Sequence, residues 1–310
     1  LTENVSATIR VVNERDWDST GTAEAGGDFD LGLAYITLKE LFYSPLTLSL
    51  GTQPIVWGRG FILGSGLLPR ISTIGDDPNA SITANEYTGL ATAFDAARVT
   101  LDLSNLGGLN LPLTADYVYI KVDENNPGNA DDVNLQGVNF SSQLDAANAE
   151  LEAYFLNKRD QTSGTPTDDD FGSINTIGLR GSAKPVDGAY LYGELAYQWG
   201  KRGTDAAGVL KPGSDHQAWA FNLGLEYAMA NVATQPMLGA EWRFYSGKDQ
   251  DGAVSGWAAI APGYFRTALR EFQTQSTVAG FYANDQAGVT SAGTNQHELA
   301  LYGSFTLNPT

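Results

Sequence analysis

The chain of 310 residues has no cysteine, which removes disulfide frameworks, thiol nucleophiles and cysteine-based zinc sites. Histidine is nearly absent too, with only His216 and His297. Neither belongs to an HExxH zinc helix, and no GxSxG nucleophile turn is present. His216 follows Ser214 and Asp215, but neighbours in an extended chain point to opposite faces and do not assemble a catalytic set. No enzyme activity, cofactor or metal is expected. Basic residues are scarce: 18 Lys and Arg stand against 36 Asp and Glu, for a net charge of -18. No basic stripe can displace counterions from phosphates, so nucleic acid is excluded as a partner. The glycine-rich run 58–66 lacks the following helix of a nucleotide loop. Any run near the ~18 apolar residues of a spanning helix is also missing, and mean hydropathy is -0.20. Strands that cross a bilayer escape that search, because only alternate residues meet lipid. Leu1 opens directly into a polar segment, which reads as a processed chain with its export signal removed.

What is present is period-two alternation. Val5, Ala7, Ile9 and Val11 share one face; Ser6, Thr8, Arg10 and Glu14 share the other. Leu151, Ala153 and Phe155 oppose Glu150, Glu152 and Tyr154, and Ile177 and Leu179 oppose Gly178 and Arg180. Trp219, Phe221, Leu223, Leu225 and Tyr227 oppose Asn222, Gly224 and Glu226. Similar runs begin near Leu46, Arg98, Ala189, Leu238 and Glu298. Runs 28–40, 112–122 and 133–143 also read as strands, with their inward parity unassigned. This makes about twelve strands, most near the 9–11 residues that cross a membrane at a tilt.

Short connections near 41–45, 104–111, 144–147, 184–187 and 230–236 alternate with long polar ones near 18–27, 54–92, 124–132, 159–170, 201–215 and 246–296. A hairpin barrel produces that order, with tight periplasmic turns and long outer loops. The expected fold is one all-β domain over 1–310: a closed antiparallel transmembrane β-barrel in the outer membrane of a Gram-negative-type bacterium. The last residues, Asn308-Pro309-Thr310, read as the start of a turn, so a further hairpin and about 14 strands are expected. Trp17, Trp57, Phe155, Trp199, Trp219 and Phe244 would form one aromatic girdle, with Phe42, Tyr43, Phe140 and Tyr227 forming the other. The alternative is a secreted β-sandwich or solenoid, but nothing here supplies a cover for so many apolar faces.

Two segments carry a family resemblance. Leu50-Gly51-Thr52-Gln53-Pro54-Ile55-Val56-Trp57-Gly58-Arg59-Gly60-Phe61 ends a strand and opens a glycine-rich turn with an arginine; Phe94-Asp95-Ala96-Ala97-Arg98-Val99 opens the next strand. Together they resemble the alginate-export family of outer-membrane porins. The phrases Tyr245-Ser246-Gly247-Lys248-Asp249 and Phe305-Thr306-Leu307-Asn308-Pro309-Thr310 resemble that family's later loop and turn. The resemblance implies a barrel that passes a polar solute, with Gln53, Trp57, Gly58, Arg59, Gly60, Phe94 and Asp95 as its motif residues. The family's arginine before the glutamine is Thr52 here. An arginine-lined lumen suits a polyanion, but the alternation places both signs inside.

Those lumen candidates are Arg10, Arg98, Arg180 and Arg243 with Glu150, Glu152, Glu194, Glu226, Glu241 and Glu298. Charged rings set selectivity in wet pores; the plainer reading is cross-strand pairing that stabilises the wall. Loop 54–92 either folds inward to constrict the pore or caps the rim. Loop 246–296, with a helical look at 267–272, is a candidate second plug. Asp168-Asp169-Asp170 and Asp249-Gln250-Asp251-Gly252 have ligands for a hard cation, but neither completes a calcium loop, and solvated loops explain them. The function expected is passive passage of a polar or charged solute, including an oligosaccharide. The alternative is a barrel that sheathes or docks another protein, such as a secretion partner or cytochrome. Expected partners are outer-membrane lipid, lipopolysaccharide and the solute.

Overall fold

The computed structural model describes residues 3–14, 28–41, 45–64, 93–104, 112–123, 133–160, 172–204, 210–247, 256–258, 260 and 296–306. The acidic runs 168–170 and 249–252, the segment 267–272, Trp17, Phe42 and Tyr43 lie outside them. The strands are β1 (Val5–Glu14), β2 (Asp28–Lys39), β3 (Leu46–Gln53), β4 (Phe94–Asp102), β5 (Leu113–Asp123) and β6 (Val133–Leu144). They continue as β7 (Ala149–Asp160), β8 (Gly172–Ala183), β9 (Ala189–Thr204), β10 (Leu210–Ala228), β11 (Met237–Tyr245) and β12 (Gln296–Ser304). All twelve form one antiparallel sheet in chain order, the hairpin topology that the alternating loop lengths call for. Among the described residues no pairing joins β1 to β12.

The two faces differ as the alternation requires. On the outside, Ile177, Leu179, Leu195, Trp219, Leu223, Leu225, Tyr227, Leu238 and Trp242 are exposed. A ring cluster of Trp219, Phe221, Trp242, Phe244 and His297 covers β10–β12, with Trp219 and Phe244 centroids 4.5 Å apart. An apolar concavity of about 660 Å³, lined by Leu151, Leu191, Leu223, Leu225 and Trp242, also lies on this outer wall. A sheet that turns such a face outward is stable in acyl chains and not in water. The wall is that of an outer-membrane β-barrel. β10, with 19 residues, runs about 60 Å along its length, well beyond what even a tilted crossing of the hydrocarbon core needs.

The dry core sits inside the barrel. Ile55, Trp57, Phe61, Ile62 and Leu63 pack with Val118, Ile120, Leu135, Tyr154, Leu156, Ile174, Ala196, Ala218, Ala220 and Tyr245. This explains the two later runs whose parity was unassigned. β5 and β6 carry apolar residues on both faces: Val118, Ile120 and Leu135 inward, Tyr117, Tyr119 and Phe140 outward. The inner ones meet chain, not water, so polar alternation is lost there. It also corrects the girdle: Trp57 is 3% exposed and belongs to the interior, because the chain turns inward after β3 before reaching the headgroup layer.

Candidate functional site

The inward turn is built by the glycine-rich residues that end β3 and by the start of β4. Gly51 takes φ 115, a conformation open to glycine, and its position leaves no room for a Cβ against the Ala34 carbonyl. Gln53 is buried, and its Nε2 donates to the carbonyl oxygens of Ser49, Gly51 and Ala96 at 3.1, 3.3 and 2.9 Å. Thr52 Oγ1 donates to Asp95 Oδ1 at 2.5 Å across β3 and β4, and Phe94 packs against the interior cluster. The chain then forms a small loop held by a Val56–Gly64 bridge, a Trp57 N–H to Leu63 O bond of 3.0 Å and a Gly60 N–H to Trp57 O bond of 3.0 Å. Its tip is Gly58-Arg59-Gly60, with φ of 59 and 75 at the glycines.

This segment is a plug. Phe61 stacks on Tyr245 with centroids 5.2 Å apart, and Trp57 lies 6.1 Å from Tyr154. Burying five large apolar side chains contributes roughly 1.5–3 kcal/mol each. A second piece of chain joins it: Trp257, Ala258 and Ile260 are buried in the same cluster. Gln198 holds that piece through its backbone, donating to Ala258 O at 2.8 Å and accepting from Ala258 N–H at 3.1 Å, while His216 Nε2 lies 3.1 Å from Gln198 Oε1. So the described parts of loops 54–92 and 246–296 fold inward.

Below the plug tip, towards the short turns, the wall becomes polar. Glu152, Arg180, Glu194, Asn222, Arg243 and Glu298 stand directly opposite one another, strand by strand, from β7 to β12. They form one continuous row that climbs with the strand tilt, from near the short turns at Glu152 and Arg180 to near the long-loop ends of β11 and β12 at Arg243 and Glu298. Arg180 reaches Glu152 at 2.5 Å and Glu150 at 3.3 Å. Arg243 reaches Glu241 at 2.5 Å and Glu298 at 4.0 Å. Arg98 grips Asp116 with two bonds of 3.1 and 2.9 Å, and Thr100 also donates to Asp116. Arg10 lies on the inner side of β1 between exposed Ile9 and Val11. The plug enters the belt: Gly58 N–H donates to Glu152 Oε2 at 2.9 Å, and Arg59 lies 3.7 Å from Glu226. A Cβ on Gly58 would stand 2.6 Å from Arg180 Cδ and 3.1 Å from Glu194 Oε2, so the tip must be glycine. Beside it opens a polar cavity of about 420 Å³ lined by Asp102, Thr114, Ser141, Glu150, Glu152 and Arg180.

All ten lumen candidates thus face inward, and the acids and arginines meet mainly as cross-strand pairs. Sequence reasoning missed a second device. Tyr154 lies across Gly178 to donate to Glu194 at 2.7 Å; Tyr192 lies across Gly224 to donate to Glu241 at 3.0 Å; Tyr302 lies across Gly239 to donate to Glu226 at 2.7 Å. Each tyrosine stands directly opposite its glycine. Each bridge ties three strands together. The signal that could have found it is a mid-strand glycine of inward parity, which weakens a strand unless a neighbour covers it. Among the described residues no group of acids and histidines could hold a metal ion.

Neither a protein-family model nor a curated protein matches the chain. Among solved structures it is similar to the outer membrane channel DcaP of Acinetobacter baumannii, at 14% identity and a TM-score of 0.43. That match covers 77% of this chain and 62% of the DcaP chain. It is also similar to OmpT, an outer membrane protein of Vibrio cholerae, at 14% identity and a TM-score of 0.40, over 84% of this chain and 82% of that one. The loop L8 deletion form of OmpT aligns at 14% identity and a TM-score of 0.37, over 79% and 81%.

Proposed function

We propose that the protein is a narrow, porin-like outer-membrane channel for a small polar or charged solute, with its short turns on the periplasmic side. The observation that carries this reading is the polar row in register across β7–β12, which the tip of an inward-folded loop meets at Glu152. The described inner wall carries the acids Asp102, Asp116, Glu150, Glu152, Glu194, Glu226, Glu241 and Glu298 against the cations Arg10, Lys39, Arg98, Lys158, Arg180 and Arg243, with Arg59 reaching in from the loop. That excess of acid favours cations over a polyanion such as alginate, so the family resemblance contributes the porin role and not its substrate. Lipid and lipopolysaccharide contact the outer wall, and no cofactor takes part.

Planar-bilayer recording tests this. The intact protein should give small, cation-preferring conductance, and replacing residues 55–63 by a short Gly-Ser link should raise it several-fold. Silence in both would overturn the channel reading, and equal non-zero conductance in both would show that residues 55–63 do not narrow it. A docking scaffold for a secretion partner or cytochrome is the second reading, and the filled upper lumen favours it. A silent protein, silent also after the replacement, with one protein held stoichiometrically through purification, would establish that alternative.

A further inference from the structure

We infer that Arg59 occupies a binding site for a guanidinium- or ammonium-bearing solute, and holds it as a tethered stand-in until the solute displaces it. The inference rests on the channel reading for its biological use, but the binding chemistry stands by itself.

The guanidinium carbon of Arg59 lies 4.0 Å from the centroid of Tyr192 and 5.9 Å from that of Tyr190. Those two rings are neighbours on the inner face of β9, with centroids 5.6 Å apart and planes inclined at 36°. The third wall of the cradle is Glu226 of β10, directly opposite Tyr190 and 3.7 Å from the Arg59 head group. Its carboxylate is fixed by the Tyr302 hydroxyl at 2.7 Å, and the Tyr192 ring is fixed by its own bond to Glu241 at 3.0 Å. So the strands contribute two aromatic faces and an oriented carboxylate, all held before any cation arrives. Aromatic faces with an acid beside them are what organic cations bind, since the ring quadrupole and the carboxylate attract the same charge.

Three features distinguish this from an ordinary structural ion pair. The cradle belongs to the rigid wall, whereas its occupant belongs to a loop. The occupant is flanked by glycines on both sides, with positive φ at each, so it can rotate away without moving β9 or β10. The Arg59 and Glu226 side chains keep about a fifth of their surface exposed, 22% and 24%, near the short-turn end of the lumen. A solute entering from that side reaches the cradle before it meets the plug. The displaced loop tip would then lose its Arg59 contacts while keeping the Gly58 bond to Glu152, and the passage would widen.

The test uses the full chain, folded in detergent, with methylguanidinium chloride as the probe. Calorimetric titration of Arg59→Ala should show saturable binding, at least tenfold tighter than to the unaltered protein, in which Arg59 competes. Adding Tyr192→Ala or Glu226→Gln to Arg59→Ala should weaken that binding about tenfold each. Heat-dependent gel mobility confirms that each variant is folded, and Arg59→Gln replaces Arg59→Ala if the latter is not. Equal affinity in the Arg59 variant and the unaltered protein, or binding indifferent to Tyr192 and Glu226, would overturn the inference. Conductance of the same samples is measured in parallel. Binding without conductance counts against the channel alone, and conductance without binding counts against this site alone.

Discussion

Arg180 provides the sharpest test of how the belt is held. Its side chain is 7% exposed and lies between Glu152, which is 13% exposed, and Glu150, which is 44% exposed. Glu152 has further duties, since it also accepts the Gly58 N–H at 2.9 Å and the Asn139 amide at 3.4 Å. Removing the guanidinium with Arg180→Met leaves a buried carboxylate without its counter-charge, which typically costs about 3–5 kcal/mol. Glu152→Gln should cost on the order of 2–3 kcal/mol, because an amide retains one acceptor and turns a donor towards Arg180. Glu150→Gln should cost about 1 kcal/mol or less, as its partner bond is long and wet. The double variant Arg180→Met with Glu152→Gln should recover part of the loss, since the two sites share one interaction. The assay is urea-dependent unfolding in detergent, followed by the fluorescence of Trp57, whose ring adjoins Tyr154 at 6.1 Å. Equal costs for Glu150→Gln and Glu152→Gln, or an Arg180→Met cost under about 1 kcal/mol, would show that burial does not govern this belt and refute the reasoning.

Charge reversal at Glu150 and Glu152 together should shift single-channel selectivity towards anions, and unchanged reversal potentials would remove these acids from any selective role. Gly178→Val places a side chain into the Tyr154 ring, so Tyr154 must leave Glu194. A loss of about 2–4 kcal/mol, seen as a lower unfolding midpoint, is expected from overpacking and the broken bond, and Tyr154→Ala should make the same substitution nearly harmless. Leu223→Arg on the outer wall should cost about 2–4 kcal/mol in lipid vesicles if it sits near the midplane; a cost near zero would place that face away from acyl chains. Gln198→Ala should free the 257–258 backbone and raise its amide exchange while strand amides stay protected, and unaltered exchange there would show that other contacts hold the segment.

The outer wall was legible because lipid imposes one rule on every strand: Leu223, Leu225 and Trp242 could be placed by parity alone. The lumen charges were legible for the same reason, as Arg180 and Glu194 had only one wet face to occupy. Parity failed where a third partner replaced water. Val118, Ile120 and Leu135 face the plug, so β5 and β6 read as apolar on both sides. The inward turn was legible only as one of two options for the long loop 54–92, because its cause is a long-range fit: Gln53 bonds to the Ala96 carbonyl, and Gly58 lies against Arg180 and Glu194. The tyrosine bridges were hidden because each needs a register between strands, and register is set by pairing that no single segment declares.

The apolar inner faces of β5 and β6 bear on how the molecule assembles. An empty barrel with Val118, Ile120, Leu135 and Leu156 bare would expose a greasy patch to the water inside, as unfavourable as leaving Leu223 outside the bilayer. The vacant wall is therefore less stable than the filled one, and seating residues 55–63 accompanies the zipping of the strands. Refolding into vesicles should quench or shift Trp57 at the rate at which sheet signal grows, instead of as a later, separate phase.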